Sequence, residues 1–141
     1  MDDPDRAPRA SRKPDPDRDT SRRAKGRRGE ALAVQVLEQR GYRVLARNLH
    51  FGEAELDLLA LDGRTLCFVE VRLRAGSALG SGEESVDARK QQRVVRAARR
   101  VLASGALPRH DALRFDVVAI DSSREPPAVR IVRDAFYADE R

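Results

Sequence analysis

Cysteine and aromatic residues are scarce in this chain of 141 residues. A single cysteine, Cys67, leaves no partner for an internal disulfide and excludes a cysteine-based zinc site. With no tryptophan, two tyrosines and four phenylalanines, the chain is poorly suited to stacking the bases of single-stranded nucleic acid. No apolar run approaches the roughly 20 residues that a membrane span needs, and the N-terminus lacks the apolar stretch of a secretory signal. We therefore expect a cytoplasmic protein without a membrane partner.

The N-terminal segment is basic and rich in proline. Its first 28 residues hold ten Lys or Arg and six Asp or Glu, and they contain four of the seven prolines. Large apolar residues are nearly absent there, so burial cannot offset the entropy of ordering. We predict a disordered tail over residues 1–25 and one folded domain over 26–141. The tail either improves solubility, which we favour, or attracts phosphate without sequence preference.

Apolar periodicity predicts an α/β domain with a mixed sheet. One helix is expected from Ala31 to Arg40, where Gly41 ends it. A second helix is expected from a capping box at Ser81 and Glu84 to about Ser104. Strands are predicted over residues 42–48, 55–61, 65–73 and 113–120, with a fifth left open at 129–132.

Two acidic segments lie on the two strands of a predicted β-hairpin, one on each side of its turn. Asp62-Gly63 lies between apolar runs, which favours a two-residue type I′ turn. With this loop, Glu55 falls opposite Glu70, and period-two alternation gives the hairpin one polar and one apolar face. The polar face carries Glu55, Asp57, Glu70 and Arg72, and the apolar face carries Leu56, Leu58, Cys67, Val69 and Val71.

Opposed carboxylates on a hairpin destabilise it unless something compensates their charge. A hard divalent cation such as Mg²⁺ or Mn²⁺ could do so, because these ions prefer oxygen ligands. Salt bridges to Arg72 and Arg74 are the alternative, and spacing alone slightly favours them.

Two further charged residues line up with apolar helix faces. Glu30 precedes the apolar stripe of the first helix, so it either benefits from the helix dipole or points into a site. Lys90 lies over the inward face of the second helix, where its stem could also simply cover the edge of the core. Another face of that helix carries a stripe suited to a phosphate backbone or to solvent, formed by Arg89, Arg93, Arg96 and Arg100.

The joint order and spacing of these motifs resemble the YraN-type family of small bacterial proteins, over about residues 22 to 137. The motifs that carry the resemblance are Gly26-x-x-Gly29-Glu30, Glu55-Leu56-Asp57, Phe68-Val69-Glu70-Val71-Arg72, Lys90, Arg114-Phe115-Asp116-Val117 and Ala135-Phe136.

The resemblance implies a restriction-endonuclease-like core of helix, three strands, helix and strand, as in the PD-(D/E)xK superfamily. It implies Mg²⁺ bound mainly by Asp57 and Glu70. Glu30 would add a ligand or hold a metal-bound water, and Glu55 would be an outer ligand. A lysine two residues after the second acid would orient or activate the attacking water.

This chain departs from that pattern at two positions. Ala54 replaces a glycine, a tolerable backbone change, and Arg72 replaces the lysine. Arginine can hydrogen-bond a phosphate bidentately, but it does not lose its proton at ordinary pH. We therefore hypothesise that Lys90 supplies the lysine function, because the active-site lysine moves between elements in this superfamily.

The function expected from the resemblance is a Mg²⁺-dependent endonuclease acting on DNA, including branched or junction DNA. The alternative is a catalytically impaired nucleic-acid-binding protein on a nuclease fold. Resolvases of four-way junctions act as symmetric dimers, so a homodimer is compatible with this expectation.

Overall fold

The chain folds into an α/β domain in the order that the sequence predicts. A computed structural model describes residues 16–74 and 88–136, with side chains described from residue 27 onward. The described elements are α1 (Pro16–Gln39), β1 (Arg43–Phe51), β2 (Ala54–Asp62), β3 (Thr65–Arg74), α2 (Ala88–Ser104), β4 (Ala112–Asp121) and β5 (Ala128–Phe136).

The five strands form one mixed sheet in the order β1-β2-β3-β4-β5. Neighbouring strands are antiparallel except β3 and β4, which run parallel. A parallel pair needs a long crossover connection, and here α2 lies within it. The predicted mixed sheet is therefore confirmed, and the fifth strand, which the sequence left undecided, is present. Within the described ranges, neither helix is long and apolar enough to cross a membrane.

The two helices cover opposite faces of the sheet. On the α1 face, Ala33, Val34 and Leu37 pack against Cys67 and Val69. Alternate residues of the same strands point to the other face, which α2 covers. The α2 face holds a row of phenylalanines, with ring centroids 5.3 Å apart for Phe68 and Phe115 and 4.9 Å for Phe115 and Phe136.

Helix α1 is much longer than predicted. It begins at Pro16 rather than near Ala31, so residues 16–25 are helical where we expected disorder. Residues 1–15 of the predicted tail and the predicted capping box of α2 lie outside the described residues. Proline at the first helical position and acidic residues just after it both favour a helix start, and they outweighed the low apolar content. Glu30 consequently lies well inside the helix, where the dipole has little effect.

The hairpin loop is shifted by one residue from the prediction. Asp62 pairs with Thr65, so the loop is Gly63-Arg64 and not Asp62-Gly63. Gly63 has φ +62, which suits a turn that needs positive φ at its first central residue. The observed register brings Asp57, rather than Glu55, level with Glu70.

Packing explains this register. Leu59 lies opposite Phe68, and Leu61 lies opposite Leu66, so apolar side chains of one face meet across the strands. The predicted register would have placed Leu61 opposite the polar turn residue Arg64. Cross-strand packing therefore selects one of two registers, between which the turn sequence alone does not distinguish.

The alternation of β2 breaks at Asp57. Leu58 packs in the α1-side core, as predicted, but Leu56 packs in the α2-side core, so its predicted face is wrong. Opposite this point in β1, Asn48 has φ +49, a left-handed conformation that interrupts the strand. The irregularity lies within the acidic segment of β2.

A buried polar network secures the sheet on the α1 face. Asp116 is 0% exposed and accepts hydrogen bonds from the Tyr42 hydroxyl (3.1 Å), from Arg114 Nε (2.9 Å) and from the Asp134 N–H (2.9 Å). Arg114 also donates to Asp62 at 2.8 Å. The Arg114-Phe115-Asp116 motif thus provides packing and charge pairing, which its short sequence did not reveal.

Candidate functional site

Glu70 and Lys90 form the centre of the site. Glu70 is 1% exposed on β3, and Lys90 Nζ lies 2.7 Å from its Oε2. Among the described residues, neither oxygen of Glu70 accepts a well-directed hydrogen bond, so this ion pair is the main compensation for its charge. Lys90 therefore points inward from α2, as its helical spacing predicted.

Burial and neighbouring charge act together on this pair. Burial, and then the charge of Asp57, raise the pKa of Glu70 to about 8, while Lys90 opposes the shift. Burial disfavours the charged form of Lys90, but its contact with Glu70 and the charges of Asp57 and Glu55 outweigh this effect and raise the pKa of Lys90. Lys90 is consequently a protonated ammonium at neutral pH.

Asp57 is held at the point where β2 and β3 separate. Their ladder ends with the pair of Leu58 and Val69, and beyond it the Val71 N–H donates to Asp57 Oδ2 at 2.9 Å. This bond fixes the carboxylate beside Glu70. The residue sequence of β2 placed Asp57 near Glu70, but the side-chain bond to β3 appears only in the structure.

Glu30 approaches Asp57 from α1. Burial, opposed by a hydrogen bond from Asn48, raises the pKa of Glu30, and the charge of Asp57 adds to the increase. The bond joins Asn48 Nδ2 to Glu30 Oε1 at 2.9 Å. Because Glu30 lies inside α1, the helix dipole does not explain its position, and its role as a carboxylate that points into a site stays a prediction.

Glu55 turns toward α2. Its Oε2 lies 3.6 Å from Lys90 Nζ and 3.4 Å from Arg93 Nη1. These contacts show Glu55 as an ion-pair partner that links the start of α2 to β2. Its predicted position as an outer metal ligand stays a prediction.

Arg72 lies two residues after Glu70 on β3, where alternation puts both on the same face. It is partly exposed and pairs along the parallel ladder with Ala119. The lysine expected at this position is thus replaced by a larger cation, while Lys90 contacts Glu70 from another element.

The oxygen-rich donor set suits Mg²⁺ or Mn²⁺. Both ions prefer carboxylate and water ligands, and Mg²⁺ usually keeps several waters and uses one or two carboxylates. Within residues 16–74 and 88–136, no three His, Cys, Asp or Glu side chains are placed to hold a metal together. Asp57 and Glu70 with water therefore fit such an ion, whereas a complete protein cage does not form as the side chains stand.

The predicted arginine stripe runs along α2 beside the acidic residues. Arg93 contacts Glu55, and the guanidinium of Arg100 lies 5.3 Å from the centre of the Phe51 ring. Arg89 and Arg96 are exposed. The stripe is thus tied to the β1–β2 end of the sheet at two points and is not a uniformly solvated face.

Sequence reasoning missed Asn48. Asparagine is unfavourable in a strand interior and is enriched in the left-handed conformation, which is the one available signal. That signal identifies a break in a strand but not the hydrogen-bond partner, because Glu30 lies on a distant helix.

Comparisons with known proteins agree on one family. The model of the uncharacterised protein family UPF0102 matches residues 29–120. A UPF0102 protein of Stutzerimonas stutzeri (strain A1501) is 47% identical over 112 residues, covering 79% of this chain and 92% of the relative. A UPF0102 protein of Xanthomonas oryzae pv. oryzae (strain PXO99A) is 46% identical over 122 residues, covering 85% of this chain and 97% of the relative.

A more distant relative matches over a similar length. The UPF0102 protein of Chlorobium chlorochromatii (strain CaD3) is 38% identical over 121 residues, covering 82% of this chain and 92% of the relative. The matched family segment contains the acidic residues of α1, β2 and β3 and the lysine of α2. The chain therefore belongs to the uncharacterised protein family UPF0102, the family to which its YraN-type motifs pointed.

Proposed function

We propose that this protein is a metal-dependent endonuclease that hydrolyses DNA phosphodiester bonds, with a restriction-endonuclease-like active site. The observation that carries the proposal is the buried Glu70, paired with Lys90 and adjacent to Asp57. A buried carboxylate with few hydrogen bonds is costly for a fold, and such costs are concentrated at functional sites.

Asp57 and Glu70 are the residues that would hold Mg²⁺ or Mn²⁺. When bound, such an ion supplies an activated water and neutralises charge that develops on the phosphate. The Val71 N–H keeps Asp57 in place for this task. Glu30, whose charge is coupled to that of Asp57, would add a ligand or hold a water.

Lys90 takes over the position of the missing lysine in this proposal. Its raised pKa keeps it protonated, so it orients water and stabilises negative charge instead of abstracting a proton. Arg72, two residues after Glu70 on β3, would bind a phosphate oxygen through its guanidinium.

The arginine stripe would bind the DNA backbone next to the site. Arg93 joins the stripe to Glu55, and Arg96 is exposed, so it would be accessible to a phosphate backbone. The low content of aromatic residues favours recognition of the backbone or of DNA shape over stacking on single strands. Branched DNA and a homodimer follow from the resemblance to junction resolvases and belong to the same proposal.

The test is a cleavage assay with the full-length chain on linear, flapped and four-way DNA, titrated with Mg²⁺ and Mn²⁺. We expect metal-dependent cleavage that falls by at least about a hundredfold in Asp57→Asn and Glu70→Gln. Glu38→Gln, on the exposed side of α1, is the matched control and should retain full activity. Persistence of cleavage in both site variants would mean that a contaminant or another site cuts the DNA.

A second function is favoured by Arg72. If arginine at position 72, in place of the expected lysine, abolishes catalysis, the protein binds nucleic acid without cleaving it. The same samples then show salt-sensitive binding and no product with either metal, which contradicts the nuclease proposal.

A further inference from the structure

Asn48 has a backbone conformation that strands rarely contain. Its φ is +49, and it lies inside β1, between Arg47 and Leu49, which both pair with β2. Most side chains are disfavoured at positive φ, whereas asparagine tolerates it better than other residues except glycine. The strand therefore contains a local strain at this residue.

The strained residue is level with Asp57. Arg47 pairs with Leu58 and Leu49 pairs with Leu56, so the register brings Asn48 to Asp57 between these pairs. The face of β2 changes at the same point, since Leu56 and Leu58 pack on opposite sides of the sheet. The irregularity thus coincides with a candidate metal ligand.

The side chain of Asn48 has a specific partner. Its Nδ2 donates to Glu30 Oε1 at 2.9 Å, although 18 residues separate the two in sequence. Asp57 repels the Glu30 carboxylate, and the Asn48 amide offsets this repulsion by donating to it. The amide therefore holds Glu30 close to a second negative charge.

We propose that Asn48 is a positioning residue that holds the Glu30 carboxylate beside Asp57. The inference rests on the proposed nuclease function. Of the other described residues with positive φ, Gly41, Gly52 and Gly63 lie at turns and need no side chain, whereas Asp134, with φ +59, lies inside β5. At Asn48 the chain uses a residue that fits the same backbone less easily but can donate a hydrogen bond.

The competing explanation is that Asn48 only allows the strand to bend. The two explanations make opposite predictions for Asn48→Gly, because glycine adopts positive φ more easily and lacks the amide. Asn48→Asp keeps the shape of the side chain and places a negative oxygen against Glu30. Both variants should fold, since neither adds bulk.

The experiment measures Mg²⁺ binding by calorimetry without DNA, and single-turnover cleavage with its Mg²⁺ dependence, in wild type, Asn48→Gly, Asn48→Asp, Glu30→Gln and the Asn48→Gly/Glu30→Gln double variant. We expect Asn48→Gly to bind Mg²⁺ more weakly than wild type in the calorimeter. We expect Asn48→Gly to lower the rate constant at saturating DNA by about tenfold, with unchanged KM for DNA and a higher Mg²⁺ requirement. Asn48→Asp should be at least as impaired. In the Glu30→Gln background, Asn48→Gly should change the rate by less than about twofold.

The outcomes separate the inference from the function on which it rests. If wild type cleaves DNA and Asn48→Gly is fully active, Asn48 only permits the bend and the positioning role is overturned. Additive losses in the double variant overturn it as well, because a residue that acts through Glu30 has nothing to act on once Glu30 is replaced. If wild type cleaves no DNA with either metal, the proposed function and this inference both fall.

Discussion

Lys90 of α2 and Glu70 of β3 form an ion pair, with 2.7 Å between Nζ and Oε2, across the junction of helix and sheet. The carboxylate is 1% exposed, whereas the lysine retains 29% of its side-chain surface. The pair joins an element that carries acidic candidate ligands to one that carries basic residues. It therefore links the stability of the fold to the proposed chemistry.

Loss of Lys90 should destabilise the fold through Glu70. Lys90→Met removes the cation that opposes the raised pKa of Glu70 and that lies 2.7 Å from this buried carboxyl group, so we expect the free energy of unfolding in urea to fall by about 1–3 kcal/mol. Glu70→Gln in the same chain should recover part of this loss. Arg89→Met, at an exposed neighbouring position, should stay within about 0.5 kcal/mol of wild type. If Lys90→Met and Arg89→Met lose the same free energy of unfolding, the contact between Lys90 and Glu70 does not stabilise the fold.

Exchanging the cations at positions 72 and 90 tests which of the two residues supplies the function of the expected lysine. Lys90→Ala should reduce metal-dependent cleavage by about a hundredfold or more, and Arg72→Lys alone should change it much less. Arg72→Lys added to Lys90→Ala should restore part of the activity, because it returns an ammonium to the face of Glu70. The readout is the single-turnover rate on the best DNA substrate. Undiminished cleavage in Lys90→Ala would refute the role of Lys90.

The arginine stripe should determine the salt dependence of DNA binding. Arg96→Gln removes one phosphate contact, so the slope of log affinity against log salt should become shallower by about 0.9. Fluorescence anisotropy with duplex DNA at several salt concentrations measures the slope. Arg109→Gln, an exposed change in the segment after α2, is the control and should leave the slope unchanged. Equal salt-dependence slopes in wild type, Arg96→Gln and Arg109→Gln would mean that DNA binds at another surface.

The Asp116 network should govern stability without taking part in the chemistry. Arg114→Met leaves Asp116 buried without its main cation, with an expected loss of about 3 kcal/mol in urea unfolding. Tyr42→Phe removes one hydrogen bond and should cost about 1 kcal/mol. Arg124→Met removes an exposed arginine that lies 3.7 Å from Asp121, and it should cost less than about 0.5 kcal/mol because Asp121 keeps its hydrogen bonds from Ser123. A similar loss in Arg124→Met would show that burial of the network is unimportant.

Cys67 should remain an unreactive thiol in the folded protein. Burial, and then the charge of Asp116, raise the pKa of Cys67 from 9.0 to about 12. Because the folded state keeps its proton longer, this stabilisation is complete below the unfolded pKa and is lost as the pH rises between these two values. Thiol labelling at about pH 8 should therefore be slow in buffer and fast in urea. Fast labelling of the native chain would contradict the buried position.

Unfolding at higher pH gives an independent check on Cys67. From about pH 9 upward, wild type should lose up to about 1.4 kcal/mol of stability per pH unit more than Cys67→Ala does. The comparison between the two proteins cancels the titration of the other groups. If stability falls equally with pH in wild type and in Cys67→Ala, the pKa of the Cys67 thiol is not raised by folding.

Local sequence patterns predicted β2, β3 and β4 to within one residue at each end, whereas β1 and β5 extend three and four residues beyond their predicted ends. The predicted spans 65–73 and 113–120 differ from β3 and β4 by only one residue at an end, because apolar β-branched runs and turn residues mark strand limits locally. The hairpin register was wrong by contrast, since both possible loops contain Gly63 and the cross-strand packing of Leu59 with Phe68 decides between them.

Helix limits and contacts between elements were less predictable. The start of α1 at Pro16 was not predicted, because the low apolar content of this segment masks the helix-start signal of proline and acidic residues. The bond between Asn48 and Glu30 could not be inferred, because it depends on how α1 docks on the sheet. The same holds for the network that Asp116 forms with Tyr42.

The sequence by itself determined which residues are available: carboxylates at Glu30, Asp57 and Glu70, an arginine where a lysine is expected, and Lys90 on an inward helix face. It also determined the order of elements, because local periodicity and turn chemistry depend on near neighbours. Only the tertiary structure decided that Lys90 meets Glu70 and that Glu55 turns to α2. Those contacts depend on strand register and helix docking, which are set by packing between residues far apart in the chain.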